Sequence, residues 1–292
     1  MSQDNPSDIE LGDVAAILFD EFGRSSTMDA KTFHKTTYFI EKKINELGDD
    51  FDLPYFWYKF GTMTVTQNSP VTIQYDEEES DVLCSKRTED LSLTPQQKEV
   101  IRESTKEVLE EHDEVGTEGL TDRMYEEDAP YDAQRKYRKL DDFVQWQVFK
   151  KDGEETSFER DEIYRYVDEF IDAFPEDEYP QYVNDLYLWY DLLSNRLRNP
   201  ETTLEDVEEL VEIFWSIFTL ELAVDVDTGT SKEEIQRELG IGDLENRKQY
   251  FRNELQQQER EHLYIKNQSE HLVEAADAVM TSQLEFTEAS AD

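Results

Sequence analysis

The sequence predicts a mainly α-helical protein: a helical N-terminal domain with a small β-hairpin insertion, followed by a C-terminal helical bundle. Two observations lead to this fold class. Apolar residues recur every three to four positions along most of the 292 residues, which is the spacing of one face of a helix. Many of these stretches begin with a capping residue and end at a glycine or proline. Alternation typical of strands is confined to a short region between residues 63 and 84.

The N-terminal half begins with a polar tail over residues 1–8 and two helices, from about Ile9 to Phe22 and from about Asp29 to Leu47. Gly23 and Gly48 follow as stop signals. An aromatic cluster comes next, and then three short extended pieces. These pieces are Met63–Thr66, Val71–Tyr75 and Val82–Cys84, and the last two flank an acidic turn, which predicts a hairpin.

Helical patterns occupy the remainder of the chain. Thr94 can cap a helix that has Pro95 at its first position and Gln97 completing a capping box. Further helices are predicted over about 118–127, 130–150, 163–174, 183–197 and 203–218, then a short one ending at Gly240 and one or two over 244–286. Residues 151–157 have a linker composition, so we expect domains at 9–150 and 158–286 with a tail at 287–292.

The charge is strongly negative. Asp and Glu total 71 against 29 Lys and Arg, giving a net charge of -42. The acidic residues are spread through almost every predicted helix, whereas an interaction tail would hold them in one block. At low ionic strength such a chain repels itself, and at molar salt the screening length falls to roughly 3 Å. We infer adaptation to a salt-rich cytoplasm. An acidic mimic of DNA is the competing interpretation, but the carboxylates lack the regular spacing of phosphates.

The compartment is predicted from several further features. A single cysteine, Cys84, excludes an intrachain disulfide. The first eight residues lack the basic and apolar regions of a secretory signal. The most apolar stretch, Ile213–Val224, has 12 residues and contains Glu221, so it predicts a buried helix and no membrane span. A cytoplasmic protein with no membrane partner is expected.

Motifs of catalysis are missing from the sequence. Gly240 and Gly242 form a G-x-G without the third glycine or preceding strand of a nucleotide site, and no G-x-S-x-G is present. Glu259 and His262 form one E-x-x-H, half of a di-iron arrangement, and this pair alone supports a metal-dependent or carboxylate-based hydrolase as an alternative. Cys84 is expected to be a small buried hydrophobe. We therefore predict a protein that is not an enzyme and that needs no cofactor and no metal.

The densest group of basic residues lies at 135–139. Arg135, Lys136, Arg138 and Lys139 could contact phosphates, which makes a nucleic-acid-associated regulator a further alternative. High salt weakens such binding steeply, so nucleic acid is not the expected partner. Pairing with nearby carboxylates of the same chain is the plainer interpretation.

Four segments within residues 9–145 resemble Panacea-type antitoxin domains. They are Lys35-Thr36-Thr37-Tyr38-Phe39, Tyr58-Lys59-Phe60-Gly61, Leu93-Thr94-Pro95, and the stretch from Leu120 to Tyr131. The sequence departs from the family pattern in two places. Thr62 stands where the family has a proline after the glycine, and Tyr125 stands near the family's histidine.

The resemblance implies a helical domain with a small sheet that works by binding another protein, as an antitoxin-like or adaptor module. The partner would be a protein, and a toxin encoded nearby is one candidate. Large rigid aromatic rings are strong anchors in interfaces. The candidate partner-binding residues are Lys35, Tyr55, Phe56, Trp57, Tyr58, Tyr125 and Tyr131. The alternative for the four consecutive aromatics is that they wedge between the two domains.

Overall fold

The computed structural model describes residues 8–23, 27–49, 51–75, 80–150, 158–226 and 228–261. Within these ranges it confirms the predicted fold class, with nine α-helices and two small antiparallel hairpins. The helices are α1 Leu11–Phe22, α2 Ala30–Glu46, α3 Pro95–Asp128, α4 Asp132–Phe149, α5 Arg160–Ala173, α6 Val183–Arg198, α7 Leu204–Asp225, α8 Lys232–Glu238 and α9 at 244–261. The strands are β1 Tyr55–Tyr58, β2 Gly61–Thr64, β3 Val71–Tyr75 and β4 Ser80–Cys84.

The first three helices form the N-terminal layer, in which α3 packs along both α1 and α2. Thr94 caps α3 as expected, because its hydroxyl accepts from the Gln97 amide and the Gln97 side chain bonds back to Thr94. The two helices predicted over 95–127 are both present within α3, and they meet at Gly116, where the backbone is not helical and φ is +70°. Glu107, before Gly116, pairs with Lys43, and Asp128, after it, pairs with the adjacent Lys42, so the two parts of α3 run along α2 in opposite directions.

The hairpin β3–β4 was predicted, and its register pairs Val71 with Cys84 and Tyr75 with Ser80. The hairpin β1–β2 was predicted in part. Met63 and Thr64 belong to an expected extended piece, whereas the aromatic run 55–58 had no strand assigned to it because four consecutive aromatics show no alternation. Strand β1 pairs antiparallel with β2 from Tyr55 opposite Thr64 to Tyr58 opposite Gly61.

The C-terminal helices surround α7, which is buried along most of its length. It packs against α4, α6 and β1, so it contacts both halves of the chain. Capping boxes at Thr203–Asp206 and Ser231–Glu234 start α7 and α8 as the sequence predicted. The predicted helix over 244–286 is helical through residue 261, and the rest of that prediction lies outside the described residues.

One apolar cluster extends from Ile9 to Leu255 and includes residues of both halves. A small second cluster joins Phe56 and Val65 to Ala223 and Ile235. The predicted linker 151–157, most of the N-terminal tail and the tail 287–292 lie outside the described residues. Among the helices described, none combines the length and apolarity that a bilayer crossing requires.

Candidate functional site

The junction of α2, β2 and α3 brings together the residues that carry the family resemblance. Lys35 of α2 is 2% exposed, and its Nζ donates to the Thr62 carbonyl oxygen at 3.1 Å. Gly61 has φ of +94°, and a Cβ added to it would lie 2.7 Å from Met124 Sδ and 3.1 Å from Lys35 Nζ. A residue with a side chain therefore fits here neither in conformation nor in space. Gly61 thus meets Lys35, 26 residues earlier in the chain, and Met124, 63 residues later.

Tyr125 closes the junction from the side of α3. Its hydroxyl donates to the Lys59 carbonyl oxygen at 2.9 Å, and its ring meets Trp57 edge to face with centroids 5.8 Å apart. The same Lys59 carbonyl accepts from Trp215 Nε1 of α7 at 3.1 Å. A single backbone oxygen in the β1–β2 turn thus joins α3 to α7. We call the group Lys35, Gly61, Thr62, Met124 and Tyr125 the lysine–glycine junction.

The aromatic run 55–58 alternates between two sides of β1. Phe56 is buried in the second apolar cluster with Ala223 of α7, and Trp57 is buried against Tyr125. Tyr55 and Tyr58 are half-buried, and Tyr55 meets Tyr38 edge to face at 5.4 Å. The run therefore lies between the N-terminal layer and α7, which is the wedge position that the sequence left as an alternative.

The seven candidate partner-binding residues separate by burial. Lys35, Phe56, Trp57 and Tyr125 are in the interior, so in this conformation they hold elements together and expose too little surface to contact another protein. Tyr55, Tyr58 and Tyr131 are partly accessible. Tyr131 donates from its hydroxyl to Glu178 at 3.0 Å and accepts from Tyr179 at 3.1 Å. The anchor role is therefore not carried over to the four buried residues.

Burial governs the electrostatics of the junction. The pKa of Lys35 is lowered to about 7, mainly by burial and in smaller part by the neighbouring cations Lys31 and Arg138, while Glu118 opposes the shift. Burial also lowers the pKa of His34 to about 3, with a further contribution from Lys35. His34 is therefore a neutral imidazole, whose Nδ1 accepts from the Thr64 amide at 3.1 Å.

Arg138 of α4 is surrounded by four carboxylates. Its guanidinium lies 2.8 Å from Glu118, 2.9 Å from Asp122, 3.6 Å from Asp141 and 2.7 Å from Asp142. Burial raises the pKa of Asp141 to about 6 and that of Asp142 to about 7, and the charge of Arg138 opposes both shifts. The carboxylate ring could not be found from sequence, because its members lie on two helices in a chain crowded with acids.

The other basic residues of 135–139 have internal contacts as well. Arg135 donates to the carbonyl oxygens of Glu126 at 3.2 Å and Ala129 at 3.0 Å, and Lys136 pairs with Glu169 at 3.1 Å. Lys139 is exposed. With Arg138, three of the four candidate phosphate contacts are therefore directed to groups of this chain, which matches the plainer interpretation of the cluster.

An open cavity of about 320 Å³ lies between α3 and α4 beside this ring. Buried Tyr125 and Arg138 line it from the interior, and exposed Glu126 and Lys139 are among its other lining residues. The lining carries both signs of charge. Its guanidinium groups are already bonded to oxygens of the same chain, so the cavity has little capacity to bind an anion.

The remaining candidates for chemistry show no assembled site. No group of three or more His, Cys, Asp or Glu suited to a metal ion occurs in the part of the chain that the structure describes. Glu259 lies in α9, whereas its proposed partner His262 is outside the described residues. Cys84 is half-buried rather than fully buried as expected, and its Sγ lies 3.6 Å from the Lys86 carbonyl oxygen.

Comparison with models of protein families, with curated proteins and with solved structures found no match to this chain.

Proposed function

We propose that this protein is a non-enzymatic module that binds another protein, in the manner of an antitoxin or an adaptor. One observation carries the proposal. Lys35, Gly61 and Tyr125 come from three of the four segments that resemble Panacea-type domains, and they meet in a single packed junction. Residues that are distant in sequence and adjacent in space support the resemblance better than any one of its short motifs does.

The bonding of the junction favours a structural role for its polar groups over a catalytic one. Lys35 is committed to the Thr62 carbonyl and Tyr125 to the Lys59 carbonyl, and Arg138 is held by four carboxylates. A general acid or nucleophile must be free to reach a substrate. Because these groups are occupied within the chain, binding through the surrounding surface is the function we propose. The same pairing is why nucleic-acid binding is not proposed.

The net charge of -42 supports a salt-rich cytoplasm as the working environment. Most ion pairs among the described residues, such as Lys31–Glu118 and Lys43–Glu107, involve at least one exposed partner, so salt screens them readily. We expect the midpoint of thermal unfolding to rise from dilute buffer to about 2 M KCl, where self-repulsion is screened. Equal stability and monodispersity in dilute buffer would contradict this part of the proposal.

The binding function is tested by co-expressing the affinity-tagged chain with the product of each adjacent gene. Purification in molar potassium chloride followed by size-exclusion chromatography with light scattering should show a stoichiometric complex with one of them. If that product is toxic when expressed alone, the chain should restore growth. A Gly61→Leu variant, which disrupts the lysine–glycine junction, serves as the matched control and should lose both effects. Failure of every neighbour to co-purify, together with no effect on growth, would contradict the proposal.

A further inference from the structure

Strand β3 has one edge bonded to β4 and one edge turned away from it. The bond from the Ser85 amide to the Pro70 carbonyl oxygen, at 2.9 Å, fixes the phase of the antiparallel ladder. Backbone groups alternate in direction along such a ladder, so those of Thr72 face β4 and those of Val71 and Ile73 point the opposite way. The contact from the Val82 amide to Met28, on the far side of β4, agrees with this phase.

The outer edge of β3 carries unused peptide groups. The Val71 amide donates to Ser69 Oγ at 3.1 Å. For Ile73, no residue in the described ranges pairs with either its N–H or its carbonyl oxygen, and the sheet there ends with β3. A free strand edge offers a ready-made row of donors and acceptors to another extended chain.

A groove of about 310 Å³ runs beside this edge. Its walls are the turn at 66–69, three consecutive residues of β3 (71–73), and Arg237 and Glu238 of α8. Neighbouring side chains of a strand point to opposite faces, so a groove lined by three consecutive residues lies along the edge of the strand and not over one face. The Glu238 carboxylate accepts from the Thr66 amide at 3.1 Å and from its hydroxyl at 2.7 Å, which holds the opposite wall in place.

We propose that the outer edge of β3 is the docking site for an extended segment of a partner protein, which adds to the hairpin as a third strand. The inference rests on the proposed function and specifies how the partner binds. The peptide groups of Ile73 select an extended backbone by their spacing. The acidic sequence 76–79 between the two strands, together with Asp81, favours a segment with cationic side chains at close range, and exposed Thr72 and Gln74 of β3 are the side chains next to the added strand.

The first test uses a synthetic peptide, Lys-Thr-Val-Thr-Val-Thr-Lys with blocked ends, added to the isotope-labelled protein in molar potassium chloride. We expect saturable shifts of the Ile73 amide resonance. Two versions of the peptide, N-methylated at alternate residues in opposite phases, provide the control. An edge bonds to the peptide groups on one side of the added strand, so one version should bind like the parent and the other at least tenfold more weakly. Any other pattern, including no shift at Ile73, would overturn the inference.

The second test separates the docking edge from the proposed function. Ile73→Pro removes the outward N–H and leaves the bonds of Thr72 to β4, whereas Ile73→Val keeps the amide. If the complex with the adjacent gene product forms, Ile73→Pro should weaken it at least tenfold and Ile73→Val should not. Equal binding by a folded Ile73→Pro variant would reject the edge and leave the proposed function standing. Peptide binding at Ile73 with no protein complex would support the docking edge and contradict the proposed function.

Discussion

The buried faces of α2 and α7 differ in chemistry. Helix α2 buries a run of polar side chains, whereas α7 buries a nearly continuous apolar and aromatic surface. The buried polar residues of α2 are Thr32, His34, Lys35, Thr36, Thr37 and Glu41. Each of these needs a partner at a particular place, while the aromatics of α7 need only volume and contact. The comparison suggests that α7 supplies the bulk of the stability and that α2 determines which elements meet at the lysine–glycine junction.

The largest expected effect is the loss of an aromatic ring from α7. Phe214 is fully buried and lies with its ring centroid 5.7 Å from both Phe174 and Trp189. Phe214→Ala should lower the free energy of unfolding by ~4 kcal/mol, because it removes apolar area and leaves a cavity. Phe214→Leu, which retains most of the volume, should lower it by less than ~2 kcal/mol. Chemical denaturation in molar salt measures both, and equal losses would show that volume is not what α7 contributes.

Replacement of Lys35 tests the polar face of α2, and here we expect the free energy of unfolding to increase rather than decrease. The unfolded chain holds the Lys35 proton up to about pH 10.5, and the folded chain releases it near pH 7. Below pH 7 the buried charge therefore lowers the free energy of unfolding by on the order of 4 kcal/mol. Lys35→Met removes this cost but also loses the hydrogen bond to Thr62, which contributes about 1 kcal/mol. The variant should be more stable than the parent by ~3 kcal/mol at pH 6.5.

The pH dependence gives the Lys35 prediction its sign. Between pH 7 and 10.5 the unfolded state holds more protons at this position, so the stability of the parent rises with pH through that window. The advantage of Lys35→Met should therefore shrink to nothing by about pH 10.5. Lys43→Met, at an exposed pair with Glu107, is the control and should change stability by less than ~1 kcal/mol at every pH. An advantage that does not vary with pH would contradict the burial of a charge.

The lysine–glycine junction gives the third and smallest effect. Gly61→Ala adds a Cβ at 2.7 Å from Met124 Sδ in a residue whose φ is +94°, and it should cost ~2 to 3 kcal/mol. Gly48→Ala is a matched control, because Gly48 also has positive φ, at +89°, but nothing lies within 4 Å of an added Cβ. It should cost ~1 kcal/mol. Denaturation midpoints distinguish the two, and equal costs would mean that Gly61 is required for its conformation alone.

Elements with a local signal were predicted well from the sequence. The helices α1 to α8 follow apolar spacing and capping pairs such as Thr203 with Asp206, and these depend on residues within one or two turns. Strand β1 was missed because contacts with residues distant in sequence stabilise it, and its own residues show no strand pattern. Phe56 packs on Ala223 and Trp57 on Tyr125, contacts that span many residues of sequence.

The candidate site shows the same division. Lys35 and Tyr125 were named from the sequence. The pattern of residue types could not distinguish a buried side chain that holds two elements together from an exposed one that binds a partner. The free edge of β3 had no sequence signal, because which edge of a strand stays unpaired depends on tertiary pairing. The ring of carboxylates around Arg138 had none either, since the chain has 71 acidic residues. In such a chain the proximity of a carboxylate to a cation is common by chance, so spacing along the sequence carries little information.

By itself, the sequence determined the helical class, the positions of most helix starts and the strongly acidic surface, because periodicity, capping and net charge are properties of short segments or of the whole composition. The tertiary structure alone decided that Lys35 lies in the interior, that the Lys59 carbonyl joins α3 to α7, and that the outer edge of β3 stays open. The physical reason is that burial and pairing depend on which distant segments pack together. The free energy of a charge or of a peptide group in turn depends on the environment that those segments create.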